Sequence, residues 1–198
     1  MTNSNNPNGL MATSGQAVSS NEYYIPNTLA KLSIGTVVAL SGTSNTTSTI
    51  KGQNFPIGSL PAIVVATGGT GNAILGSIIG FVVSQDDMSV QSGVNPASTE
   101  GIAIVADDPT QIFEIVDDGL NIIAPTSIGL NANLTIGTVN AVGVDSTKLK
   151  TSDIATTVGF QLKILGVSKE IGNEGNALNT KFVVSINNHQ RASNTVGV

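Results

Sequence analysis

From Leu32 onward the chain alternates side chains at the period of a β-strand. Leu32, Ile34, Val38 and Leu40 fall on one face, and Ser33, Gly35, Val37 and Ala39 on the other. Further runs rich in Val and Ile, each fenced by Gly, Pro, Asn or Asp, predict strands over 62–67, 73–83, 101–106, 111–116, 135–142, 161–167 and 181–187. The last alternates cleanly, with Phe182, Val184 and Ile186 inward and Lys181, Val183, Ser185 and Asn187 outward. The run 73–83 is apolar on both faces, which calls for a central place or a covering loop. Helices have little room. The longest stretches free of Gly and Pro, 144–158 and 176–196, are dominated by mediocre helix formers. One short helical turn is expected near Asp145–Leu149, capped by Asp145 or Ser146. The predicted class is all-β: a small antiparallel β-barrel, or two barrel or sandwich subunits, with an extended N-terminal arm.

The arm is residues 1–28. Nine of its first 21 residues are Asn or Ser, too polar to bury a core, and residues 1–9 read as disordered in the free protein. Leu10, Met11, Val18, Tyr23, Tyr24 and Ile25 punctuate it as candidate anchors for a partner surface. For Tyr23-Tyr24-Ile25 the alternative is packing back on the chain's own barrel. Residues 29–120 read as a first β-barrel region. Residues 121–198 read as a second β region completing or adjoining it, with a polar C-terminal tail. Leu32–Leu40 is echoed by Leu134–Val142, with Gly35 and Gly137 in matching places. Either two related β subunits or coincidence in a Val/Gly/Thr-rich chain would produce that echo.

Composition narrows the partners. Apolar residues are 40% of the chain and charged residues only 11%, so Asn, Ser, Thr and Gly must build the surface. Between Gly52 and Thr147 there is no Lys or Arg, but nine acids; from Lys148 onward six basic residues face three acids. A nucleic-acid face needs clustered basic residues, so no nucleic acid is expected. The absence of cysteine removes disulfides and thiolate zinc sites. No signal-peptide pattern opens the chain and no apolar run approaches ~18 residues, so no membrane partner is expected.

Candidate chemistry is thin. The one histidine, His189, lies in Asn187-Asn188-His189-Gln190 with no adjacent acid or nucleophile elbow, and reads as a surface residue of a polar tail. The doublets Asp86-Asp87, Asp107-Asp108 and Asp117-Asp118 fall where strands should turn. Calcium ligation and hydrolase carboxylates are the competing readings. The glycines of Thr67-Gly68-Gly69-Thr70-Gly71-Asn72 lack the Lys-Ser/Thr of a phosphate loop and read as a β-turn. No catalytic residue, metal or cofactor is expected. A sugar-binding sandwich would want aromatic platforms, but there is no Trp, and the seven Phe and Tyr residues fall mostly in strands.

Three segments carry a resemblance: Ile34-Gly35-Thr36-Val37-Val38-Ala39-Leu40-Ser41-Gly42, Ile78-Ile79-Gly80-Phe81-Val82-Val83 and Gly101-Ile102-Ala103-Ile104-Val105. Their spacing over about residues 32–120 resembles the structural cement, or capsid decoration, proteins of tailed bacteriophages. The resemblance implies a homotrimeric barrel on the outer capsid surface of the virion, bound to the major capsid protein and reaching neighbours through arms. The half 121–198 is larger than a minimal member of that family needs. A head fibre, a tail component or a carbohydrate-binding adhesin domain would draw on the same β architecture.

Overall fold

The computed structural model describes residues 3–13, 18–84 and 93–192. Its strands in chain order are β1 Met11–Ala12, β2 Ser20–Ile25, β3 Leu32–Ser33, β4 Val37–Ser44, β5 Thr49–Ile50, β6 Gln53–Asn54, β7 Pro61–Val65, β8 Gly76–Phe81, β9 Val94–Asn95, β10 Gly101–Ala106, β11 Ile112–Val116, β12 Asn131–Thr135, β13 Lys148–Ala155, β14 Leu162–Val167 and β15 Lys181–Ile186. Five of them close a barrel in the order β10-β2-β7-β4-β8, with β8 pairing back to β10. Its pairs are antiparallel except β2 with β7, which meet in parallel at Tyr24 and Ala62. The all-β barrel read from the sequence is therefore present. A second, antiparallel sheet runs β1-β11-β15-β14-β12-β13. It curls until its last strand meets the end of β11: Asp117 bridges Leu149, and the Asp118 N–H donates to the Leu149 carbonyl at 2.9 Å.

Alternation along the barrel strands sorts side chains into separate cores. Tyr23, Ile25, Val38, Ile63, Leu75, Ile78, Ala103 and Val105 fill the barrel. Their neighbours Val37, Ala66, Ile74 and Ala106 point the other way and pack with Phe113, Ile115, Leu134, Leu162, Phe182 and Val184 of the second sheet. On a third side, Tyr24, Ala62 and Ile102 pack with Ile50 and Leu60. Barrel strands are thus buried on both faces over part of their length. That is why β8, apolar on both sides, sits between β4 and β10. In β15 the inward set is as expected, with Phe182, Val184 and Ile186 buried and the alternate residues partly exposed.

Four expectations change. First, Leu32–Leu40 is not one strand, because Gly35 turns the chain at φ +89 between β3 and β4. Val37 and Val38 are then both buried, in different cores. Second, the strand expected over 135–142 ends at Thr135. The following residues form a tight loop, in which Asn140 N–H donates to the Val144 carbonyl at 3.0 Å and Val139 bridges Asp145. The echo of 32–40 therefore has no matching strand. Third, the region of the expected helical turn enters β13. Asp145 is buried there, accepting from Thr147 N–H at 2.7 Å and the Thr36 hydroxyl at 2.8 Å. The only helical turn among the described residues is the single 3-10 turn Pro125–Ser127. Fourth, the segment read as an arm contributes β1 to the second sheet and β2 to the barrel.

Candidate functional site

The six anchor candidates divide by environment. Leu10 is fully buried in the core between barrel and sheet. Met11 is half-buried in β1, opposite Glu114 of β11. Tyr23, Tyr24 and Ile25 are buried in the closing strand β2, which is the packing-back alternative. Val18 alone is exposed. Residues 3–9 lie against the body. Asn3 exchanges hydrogen bonds with the Glu174 backbone at 3.0 and 2.8 Å, and Asn5 Oδ1 accepts from Lys148 Nζ at 2.7 Å. What made Leu10 and the tyrosines look like partner anchors was their apolar character in a polar stretch. Their partners lie in the same chain: Leu10 meets Gly35 and Ser77, Tyr23 meets Asp107, and Tyr24 meets Ala62 and Glu100.

The two tyrosine hydroxyls are held by the acids that flank β10. Tyr24 donates to Glu100 Oε1 at 2.5 Å, and burial, followed by that hydrogen bond and the Glu100 charge, pushes its phenol up to about 12. Tyr23 donates to Asp107 Oδ2 at 2.5 Å, and burial first, then Asp107, raises its phenol well above the ordinary range. Asp107 is itself buried, and it also accepts from Asn21 Nδ2 at 3.0 Å on both oxygens and from the Arg191 guanidinium. Its lone pairs are committed to joining β2 and the C-terminal segment to the end of β10.

That segment corrects the reading of His189, which is not a surface residue but 1% exposed. After β15, residues 187–192 cross from the sheet to the barrel. Ile74 N–H donates to the Asn188 carbonyl at 3.0 Å, Gln190 N–H to the Ile74 carbonyl at 2.9 Å, and Leu40 N–H to Gln190 Oε1 at 2.6 Å. No local signal in a polar tail announces this, because the enclosure comes from Ile74 and Asp107.

The other doublets that the structure describes cap turns. Asp108 Oδ1 accepts from the Thr110 hydroxyl and N–H, both at 2.7 Å, which holds its carboxyl below the usual range. Asp117 accepts from the N–H groups of Gly119, Asn179 and Thr180 at 2.7–2.9 Å, and Asp118 from Leu120 N–H and the Thr151 hydroxyl. Asp86-Asp87 lies outside the described residues. Among the described residues, no group of three or more His, Asp or Glu side chains is placed to hold a metal ion.

Two surface features remain. A cavity of about 220 Å³ lies between the N-terminal residues and the loops after β14, lined by Asn3, Ser4, Asn6, Ile171, Asn173 and Lys181 among others. Asn173 spends its amide on the Ser168 and Lys181 backbones. Large apolar side chains also stand out on the loops of the second sheet: Leu120, Ile122, Val142, Val158 and Ile171 are each more than half exposed. No helix among the described residues is long and apolar enough to cross a membrane. Comparison with protein-family models, curated proteins and solved structures found no match.

Proposed function

We propose that the chain is a virion structural protein that binds the outer surface of a bacteriophage capsid as a homotrimer and stabilises it by bridging major capsid protein subunits. The observation that carries this reading is the set of exposed apolar side chains on the second sheet's loops, Leu120, Ile122, Val142, Val158 and Ile171, on a surface with few charges. Isolated apolar residues are ordinary on a surface. Five large ones on the loops of one sheet supply area whose burial favours docking. Two sheets sharing a core make a stiff carrier for those loops. On a capsid, which repeats one site many times, modest contacts made by a symmetric oligomer add through effective concentration. Each contact then needs only a small apolar footprint.

The fold dictates how this is tested. Deleting residues 1–28 would remove β2 and open the barrel, so loss of binding by that variant would report unfolding. Point substitutions on the loops avoid this. Wild-type protein should co-sediment with capsid shells assembled without it, and Val158→Asp with Ile171→Asp should reduce the bound fraction at unchanged thermal stability. Wild-type protein that stays in the supernatant at saturating shell concentration would overturn the reading.

A further inference from the structure

The buried histidine has an asymmetric environment. His189 Nδ1 accepts a hydrogen bond from the Arg191 backbone N–H at 3.0 Å, whereas Nε2 is buried with no hydrogen-bond partner. An accepting Nδ1 fixes the neutral tautomer that carries its proton on Nε2. A second proton must enter at Nδ1. There it would set two N–H groups against each other and place a cation in a buried site.

The segment carrying this residue is hinged on the second sheet, where the Asn187 and Asn188 N–H groups donate to the Gln161 carbonyl at 2.8 and 3.3 Å and Asn187 Nδ2 donates to the Val158 and Phe160 carbonyls at 2.7 and 2.8 Å. Its backbone is fastened to Ile74 on both sides, Gln190 Oε1 accepts from Leu40 N–H, and the Arg191 guanidinium reaches Asp107 and, at 3.4 Å, the Tyr23 hydroxyl. Protonating the residue at its centre breaks the Arg191 N–H bond and loads the junction with charge. We propose that residues 187–192 form a proton-operated latch, docked on the barrel while His189 is neutral and released when it becomes an imidazolium.

Burial, rather than the charges around the ring, sets the direction. Asp107 and Asp108, at the end of β10, favour the imidazolium, and Arg191 on the latch itself opposes it. Tyr23 on β2 is a neutral phenol, and Leu40, Ile74 and Asn188 bring no titratable group. Burial is the largest influence and holds the imidazole below its ordinary value of 6.5. The docked state therefore binds fewer protons than the released state. Docking is at full strength above pH 6.5 and weakens as pH falls below it toward the depressed docked-state value.

Because the chain has one histidine, imidazole NMR signals in the uniformly 15N-labelled full chain belong to it alone. At pH 7.5 the ring should show a protonated Nε2 and a bare Nδ1. On titration to pH 5.0 its midpoint should lie below 6.5. The amide signals of Leu40, Ile74 and Gln190 should move with that midpoint, and hydrogen-exchange protection of Ile74 and Gln190 should fall about tenfold relative to Ile164 in β14. A midpoint at or above 6.5 would overturn the latch. So would protection that persists at Ile74 and Gln190 while the ring titrates. His189→Asn keeps an acceptor near the Nδ1 position without a titrating group and should remove the acid-induced loosening. If that variant folds and loosens like wild type, the histidine is not the trigger; if it does not fold, the wild-type titration decides.

Discussion

Gly9 and Gly35 face each other across a contact that admits no side chain. A Cβ on Gly9 would lie 2.3 Å from the Gly35 carbonyl oxygen, and one on Gly35 would lie 2.1 Å from the Asn8 carbonyl oxygen. Both residues have positive φ, +72 and +89, and Leu10 N–H donates to the Gly35 carbonyl at 2.9 Å. This close approach seats Leu10 in the core shared by the barrel and the second sheet. Gly35→Ala should therefore displace the N-terminal segment and cost about 3 kcal/mol, close to the cost expected for Leu10→Ala. Urea denaturation of both variants and of the double variant checks this. Because both changes act on the same seat, the double variant should lose less than the sum.

Gln161 joins the two halves by side-chain hydrogen bonds. Its Nε2 donates to the carbonyls of Thr67 and Asn72 at 2.8 and 3.0 Å, and its Oε1 accepts from the N–H groups of Gly69 and Leu134 at 3.0 and 3.1 Å. The side chain is fully buried, so Gln161→Leu would leave these groups without partners. A loss of about 3 kcal/mol is expected. Faster exchange at the Gly69 amide, measured by NMR, would locate the damage in the glycine loop.

Asp117 offers a pH test with a definite sign. Burial raises its carboxyl above the ordinary value, although the Gly119, Thr180 and Asn179 N–H groups pull the other way. The folded state thus holds this proton more tightly than the unfolded one. Its contribution to stability is present below about pH 3.8, the ordinary value, and is lost as pH rises through the raised folded-state value. Asp117→Ala removes both that dependence and the acceptor of three backbone N–H groups. It should destabilise by about 3 kcal/mol at pH 7, and its stability profile between pH 3.5 and 6 should lack the decline this carboxyl contributes in wild type. Denaturant midpoints across that range read the difference.

Val37 and Val38 are neighbours in sequence but are buried in separate cores. Each truncation to Ala should cost about 2 kcal/mol. Since the two side chains share no cavity, the double variant should show the sum to within about 0.5 kcal/mol. A clear excess over the sum, by equilibrium denaturation, would mean that the cores relax together.

The all-β class and most strand positions could be read locally. Gly101–Ala106 and Lys181–Ile186 declare themselves through Val and Ile at period two between turn residues, and such a signal needs no knowledge of distant chain. Asp108 and Asp117 were readable as turn residues for the same reason. The strand Lys148–Ala155 was not, because it is mostly polar and its buried Leu149 and Thr151 are held by Asp117 and Asp118 from across the sheet. Nor was the place of Ser20–Ile25, whose apolar second half is buried only because the barrel closes over it between β10 and β7. His189 is the extreme case, a polar-tail residue enclosed by Ile74 and by acids at the end of β10. Periodicity and turn chemistry are properties of adjacent residues, so the linear chain specifies them. Barrel closure and the crossing of residues 187–192 join positions tens to more than a hundred residues apart, and only the folded chain decides which of them meet.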